Sequence, residues 1–122
     1  MRATLLALSI LICSCIGFQG MAQNPPKIKD SEAAKYVGKK VEVRGTVVVV
    51  YSNRLGETFI DFGGRHPRQT FTGFIPPGSE LAGDTWTASL EGKNIGIIGT
   101  IDLYMGKPEI KVLSKSQIKE SD

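Results

Sequence analysis

The chain has 122 residues, 41% of them hydrophobic and 22% charged, which suits one globular domain and excludes wholesale disorder. A formal net charge of +3 permits polyanion binding without demanding it. Two cysteines and one histidine exclude a disulfide-rich scaffold and any metal site that needs several Cys or His ligands.

The first segment reads as a leader. Arg2 is the only charge before Lys27, and the apolar run ATLLALSILICSCIGF lies between them. Gly20 and Ala22 then supply small residues at cleavage positions, so residues 1–22 are expected to be a signal peptide cut after Ala22. The run is about 16 residues against the ~20 needed to span a bilayer, so no transmembrane span is expected in the mature protein. ICSC at Ile12 to Cys15 offers an alternative, a lipobox with Cys15 acylated and the protein anchored there. Either way the chain is expected to be exported, to a periplasmic or secreted location. With cleavage after Ala22 both cysteines depart, leaving no disulfide, thiolate ligand or cysteine nucleophile.

Residues 23–29, with their Asn-Pro-Pro, read as a tether, and residues 30–122 as the domain. Asp30 or Ser31 can cap a short N-terminal helix over SEAAKYVG, ended by Gly38. In KKVEVRGTVVVVYS, Val41 and Val43 alternate with Glu42 and Arg44, the pattern of a half-buried strand; from Val47 to Val50 the run is apolar throughout. Such a strand serves two sheets, and Gly45 stands where it is expected to bend or bulge. After the turn SNRLGE, TFIDF is a second strand and TFTGFI a third, joined by GGRHPRQ. Residues 79–91 lack alternation and predict a short helix or turn, with Trp86 plugging the core. KNIGIIGTIDLY is a fourth strand, MGKP a tight turn, EIKVLS a fifth strand, and Ile118 can dock from the polar tail. GKKVEVRGTV at Gly38 and GKNIGIIGTI at Gly92 echo one another, which predicts a second bend at Gly99. Five strands with bent first and fourth members are what a small Greek-key barrel needs, and a closed barrel removes exposed edges. An open sandwich or roll is the alternative.

Taken in order, YVGKKVEVRGTV, TFIDFGGRHPRQTFTGFI, LEGKNIGIIGTIDLYMGKPEIKV and SQI resemble small bacterial OB-fold domains of the nucleic-acid-binding type, some exported and some found beside nuclease domains. The resemblance spans roughly residues 32 to 118. It implies an all-β, five-stranded Greek-key OB-fold barrel that binds through the face of strands 2 and 3 and the loops joining strands 1–2 and 4–5. His66 stands where the related hairpins carry an aromatic residue before the proline.

Catalysis has little support in the residues. Ser52 and Ser79 lack a nucleophile-elbow setting, the acids are scattered, and GGRHPR is not a phosphate loop. The expectation is a non-enzymatic binding module without cofactor or metal. Single-stranded nucleic acid binds aromatic platforms flanked by cations. Tyr51, Phe59 and Tyr104 are the candidate stacking residues, and Arg54, Arg65, Arg68 and Lys107 the candidate phosphate contacts, with Asn53, His66, Thr72, Phe74 and Met105 nearby. Ile60 and Phe62 are assigned to the core, and Phe59 with Asp61 to the outer face. Single-stranded DNA or RNA is the expected partner. The alternative is a protein partner in an envelope complex, or a glycan or peptide, on the same face.

Overall fold

The computed structural model describes residues 24–121. The expected leader, its cleavage site and Cys15 lie outside the described residues. Among the described residues no helix is long and apolar enough to cross a membrane.

Eight strands carry the fold: β1 (Lys27–Lys29), β2 (Lys40–Ser52), β3 (Thr58–Phe62), β4 (Phe71–Ile75), β5 (Asn94–Thr100), β6 (Asp102–Tyr104), β7 (Lys107–Lys111) and β8 (Ile118–Lys119). They pair in the order β6-β7-β4-β3-β2-β5-β8, with β1 added beside β2. All neighbours are antiparallel except β1 with β2 and β4 with β7. The parallel β4–β7 pair requires a crossover, and the chain between Ile75 and Asn94 begins it, with the α-helical turn α1 (Thr85–Ala88). No ladder joins β5 to β7. The expected fourth strand is instead divided: β5 pairs with β2, β6 pairs with β7, and only Ile101 separates them.

β2 is the pivot. Lys40 to Thr46 pair with β5, and Val47 to Ser52 pair with β3. The irregularity expected at Gly45 falls instead at Val48, where Val47 faces Phe62 and Val49 faces Asp61. One extra residue reverses the in–out alternation. Val47 therefore points into the core, Val50, three positions on, is packed against the same core, and Tyr51 is turned to the outer face. Gly45 is needed for a different reason. A Cβ there would come 2.5 Å from Asp30 Oδ1 and 3.1 Å from the Phe62 ring. The echoed segments turn out to be each other's partners, with Gly45 opposite Ile95 and Gly99 opposite Val41. At Gly99 the close neighbour is Ile110, 2.5 Å from where a Cβ would lie. Both glycines accommodate an overlying side chain.

Two expected N-terminal features change. Lys27 to Lys29 are not tether but strand, and Ile28 is buried. The expected helix is a 3-10 segment, Asp30–Tyr36. Asp30 does not cap it; its carboxylate accepts a hydrogen bond from Thr70 Oγ1 across the domain, while Lys29 N–H donates to Glu32 Oε1 at 3.1 Å.

The core is aliphatic around one aromatic pair. Ile60, Phe62, Phe71, Ile75, Ile95 and Ile97 have no exposed surface, and Phe62 meets Phe71 edge-on at 5.2 Å between ring centroids, a favoured arrangement. Within residues 79–91 the buried apolar side chains are Leu81 and Leu90. Trp86, expected as a plug, is only partly buried: its Nε1 donates to Glu120 Oε2 at 3.3 Å, and Lys115 Nζ sits 4.3 Å from the ring centroid. Ile118 docks as expected, buried and paired with Ile97.

Candidate functional site

The outer face of the β2–β3–β4–β7–β6 strands carries two cross-strand rows. One runs Tyr51, Phe59, Phe74, Lys111. Directly opposed residues on one face are the closest neighbours a sheet offers, and the rings are in contact: Tyr51 and Phe59 stack with centroids 5.0 Å apart and planes 22° apart, and Phe59 and Phe74 lie 5.5 Å apart. The second row runs Val49, Asp61, Thr72, Glu109, Asp102. Alternation thus puts aromatics and carboxylates on neighbouring rungs of the same surface. Phe62 and Phe71, one rung further, point the other way into the core.

Three connections wall this face into a groove of about 420 Å³. The β2–β3 turn contributes Asn53 and Glu57, the β3–β4 loop His66, Pro67 and Gln69, and the β6–β7 hairpin Tyr104, Met105 and Lys107. The first turn is organised by Asn53, whose Oδ1 accepts from the Leu55 and Glu57 backbone N–H groups and whose amide donates to Glu57 Oε1. Asn53, expected near the ligand, is engaged as the turn's own scaffold. The second is clamped at its base. Gly63 has φ +79, which favours glycine, and Thr70 packs over it, its backbone N–H donating to the Phe62 carbonyl and its hydroxyl to Asp30. The third is a two-residue turn with positive φ at Met105 and Gly106, the twist that suits a tight hairpin. Its Lys107 Nζ donates to the Gln69 carbonyl at 3.4 Å, bridging hairpin and loop.

Four of the seven residues expected from sequence meet here: Tyr51, Phe59, Tyr104 and Lys107. Arg54, Arg65 and Arg68 do not line the groove; they are exposed on the two adjacent loops. Thr72 lies in the floor, and Phe74 is drawn in through its contact with Phe59. Sequence reasoning missed Gln69, counted Glu109 only among the acids that dilute the positive field, and did not foresee the burial of Asp61. Asp61 was expected on an outer face, which is the correct side of the sheet, yet only 1% of it is exposed. Its neighbours in the rows and the β3–β4 loop cover it. Glu109 could have been found from its alternation with Lys107 and Lys111; Gln69 carries no sequence signal.

The floor is electrostatically unusual. Thr72 Oγ1 donates to Asp61 Oδ1 at 2.7 Å, while Asp61 Oδ2 is buried with no hydrogen-bond partner among the described residues. Burial pushes the Asp61 carboxyl above the usual carboxylate range, opposed by the Thr72 hydrogen bond and the His66 charge. Burial also raises Glu109, with Asp102 and Glu57 adding to the effect and Lys111 opposing it. The Tyr51 hydroxyl is raised by burial and by Asp61. Such a surface offers stacking and hydrogen-bond acceptance at its base and positive charge at its margins. Among the described residues no group of three or more His, Cys, Asp or Glu could hold a metal ion.

Solved structures are similar to this chain over most of its length. A putative aspartyl-tRNA synthetase from Leishmania major Friedlin matches with TM-score 0.52 and 14% identity, over 84% of this chain and 22% of that one. The asparaginyl-tRNA synthetase of Entamoeba histolytica matches with TM-score 0.52 and 20% identity, over 83% and 25%. The OBody AM1L10, bound to hen egg-white lysozyme, matches with TM-score 0.57 and 15% identity, over 84% and 98%. The chain is a mostly β protein that matches OB-fold domains. At these identities the likeness is one of fold, and this chain spans only about a quarter or less of either synthetase. No protein-family model and no curated protein sequence matches it.

Proposed function

We propose that this protein is an exported, non-catalytic OB-fold module that binds single-stranded nucleic acid across the groove on the outer face of β3 and β4. In this reading the strands form a closed five-stranded Greek-key barrel, with β5, Ile101 and β6 acting as one bent strand that links the two ends of the pairing order. The observation that carries the function is the aromatic row Tyr51–Phe59–Phe74 beside a groove walled by three loops. Stacking platforms accept any base, because every base has a π-face. Tyr104 on the hairpin adds a second aromatic surface facing the first, and Lys107 lies beside it. Arg54, Arg65 and Arg68 stand on the rim, where phosphates would pass while bases descend. Two of the similar structures are synthetases that carry tRNA in their names, which agrees with this class of ligand.

A second reading, a protein, peptide or glycan partner on the same face, is favoured by the carboxylates in the groove, Glu57, Asp61 and Glu109, which repel a phosphate backbone that enters too deeply. The OBody bound to lysozyme is a similar fold in a protein complex. Salt separates the readings. Labelled single-stranded oligonucleotides, followed by fluorescence anisotropy, should bind at about 50 mM salt and weaken steeply by about 200 mM, as counterion release requires. Arg65→Ala/Arg68→Ala should weaken binding and flatten the salt dependence, with the melting temperature nearly unchanged. Absence of binding at the lower salt would sink the nucleic-acid reading; binding that ignores the double substitution would remove the loop from the site.

A further inference from the structure

The positive charge of the domain is unevenly placed. Residues 24–46 carry six basic side chains against three acidic ones, whereas residues 47–122 carry eight against nine. The three acids are each engaged inside the fold: Asp30 with the Thr70 hydroxyl, Glu32 with the Lys29 backbone N–H, and Glu42 with Arg44. Strand register then decides where the lysines stand. Ile28, Val41 and Val43 are buried, so the alternate residues of β1 and β2 share the outer face, with Lys27 beside Glu42 and Lys29 beside Arg44. Lys40 stands on that face opposite Thr100, and Lys119 joins the row of Arg44 across Gly96. A Cβ at Gly96 would strike the Glu42–Arg44 pair, so that pair lies flat over the sheet with the lysines around it. Lys27, Lys29, Lys40 and Lys119 are exposed here, and Lys35 and Lys39 are exposed on the connection between β1 and β2. None of the six lines the groove.

We infer that this lysine face docks on an anionic lipid surface. The inference is independent of the groove and of its ligand. Three features fit a membrane rather than a strand of nucleic acid. The exposed cations here are all lysines, compact point charges that respond to the field of a charged plane, whereas the exposed arginines, whose forked guanidinium suits individual phosphates, stand on the groove loops. The outward positions of β1, of Lys40 to Thr46, of β5 and of β8 include no aromatic residue, so a base would find nothing to stack on. The N-terminal chain also enters the domain at this face: the Pro26 carbonyl accepts from the Glu42 N–H at 2.9 Å. Cys15 and the apolar run stand about 12 residues before Lys27, a span of at most about 40 Å. An apolar leader or an acylated cysteine held in a bilayer therefore keeps this face near the headgroups. Lysine clusters beside a membrane-held segment are drawn to anionic lipid, and a single acyl chain needs such a second signal for stable binding.

Vesicle sedimentation tests this, using residues 23–122, which hold the whole described domain and lack the apolar run that would insert by itself. At low salt the protein should pellet with vesicles of phosphatidylcholine mixed with phosphatidylglycerol and stay in solution with phosphatidylcholine alone. One lysine near an anionic surface is worth about fivefold in affinity, so Lys29→Glu/Lys40→Glu should weaken binding to the mixed vesicles by at least about tenfold. Lys29→Gln/Lys40→Gln should move it in the same direction by less. Both side chains are exposed, so melting temperatures should be nearly unchanged, and oligonucleotide affinity should stay close to that of the natural sequence. Absence of binding to the mixed vesicles, equal binding to both kinds, or full binding by the charge-reversed variant overturns the inference. So does a loss of oligonucleotide affinity as large as the loss on vesicles, which would make the face part of a nucleic-acid path. Failure of the oligonucleotide assays alone leaves the lipid inference standing, since these lysines do not line the groove.

Discussion

Two carboxylates are buried in this sheet, and their settings differ. Glu42, on the β2–β5 side, is 6% exposed and meets Arg44 two residues along the same strand at 2.7 Å. Arg44 also reaches Asn94 Oδ1 and the Ser121 carbonyl, which ties the ion pair to β5 and the C-terminal segment. Asp61, on the β3–β4 side, has Thr72 for one oxygen and nothing among the described residues for the other. Around Glu42 the sheet is flanked by β1 and β8, and Val41, Val43, Ile95 and Ile97 fill its inside. Around Asp61 the outer face carries no secondary-structure layer and is lined by aromatic rings. A buried carboxylate with its ion-pair partner belongs to the architecture, whereas one left half-satisfied beside a groove calls for an explanation of its own.

The sharpest break in that comparison is between two phenylalanines three residues apart. Phe62→Ala should cost about 3–5 kcal/mol, because a fully buried ring leaves a cavity, and the loss will appear as a large fall in urea midpoint. Phe59→Ala should cost only about 1–2 kcal/mol, since its ring is half-buried and loses chiefly its contacts with Tyr51 and Phe74. Its main effect should be on oligonucleotide affinity. Equal stability losses at the two positions would erase the distinction between core and site.

Gly45→Val comes next. The new side chain meets Asp30 and Phe62 together, and overpacking of this kind costs about 1–3 kcal/mol or more. Because Asp30 also holds Thr70 at the base of the β3–β4 loop, the substitution should loosen that loop as well, measurable as faster amide exchange around Thr70.

The carboxylates themselves give effects whose signs differ. Glu42→Ala should destabilise by about 1–3 kcal/mol by removing a part-buried, charge-assisted hydrogen bond to Arg44. Asp61→Asn should be neutral or stabilising at pH 7. The folded Asp61 carboxyl titrates above its unfolded value, so the folded state binds more protons between the two, and the carboxyl's contribution to stability falls as pH rises through the folded value. The natural protein should therefore gain on Asp61→Asn as pH drops from neutral toward the ordinary carboxylate range. Thermal melts of both proteins across that range measure it; a gap that widens on acidification would contradict the assignment.

Much of the domain was legible in the sequence because strand alternation and turn chemistry are local. TFIDF, TFTGFI and EIKVLS overlap β3, β4 and β7, and Ile60 and Phe62 are core for the reason period-two alternation supplies. Tyr51, Phe59, Tyr104 and Lys107 could be gathered once those strands were placed on one face. The N-terminal strand was not legible: Lys27 to Lys29 are polar on either side of one isoleucine, and a parallel partner far along the chain is what makes them a strand. Nor was the covering of Asp61, since a single acid between two aromatics looks the same exposed or buried.

By itself the sequence determined the strands β2, β3, β4 and β7, the tight β6–β7 turn and the inward-facing aliphatic positions, because each depends on residues a few positions apart. Only the tertiary structure decided which way β2 turns its side chains. In Val47 to Val50 every residue is equally apolar, so the run contains no record of its own register. Pairing with β5 on one stretch and β3 on the next forces an extra residue at Val48, and that one residue delivers Tyr51 to the groove instead of the core. The same long-range pairing brings Asp61, Gln69 and Glu109, scattered across three segments, to one floor, where burial gives them properties that no local pattern encodes.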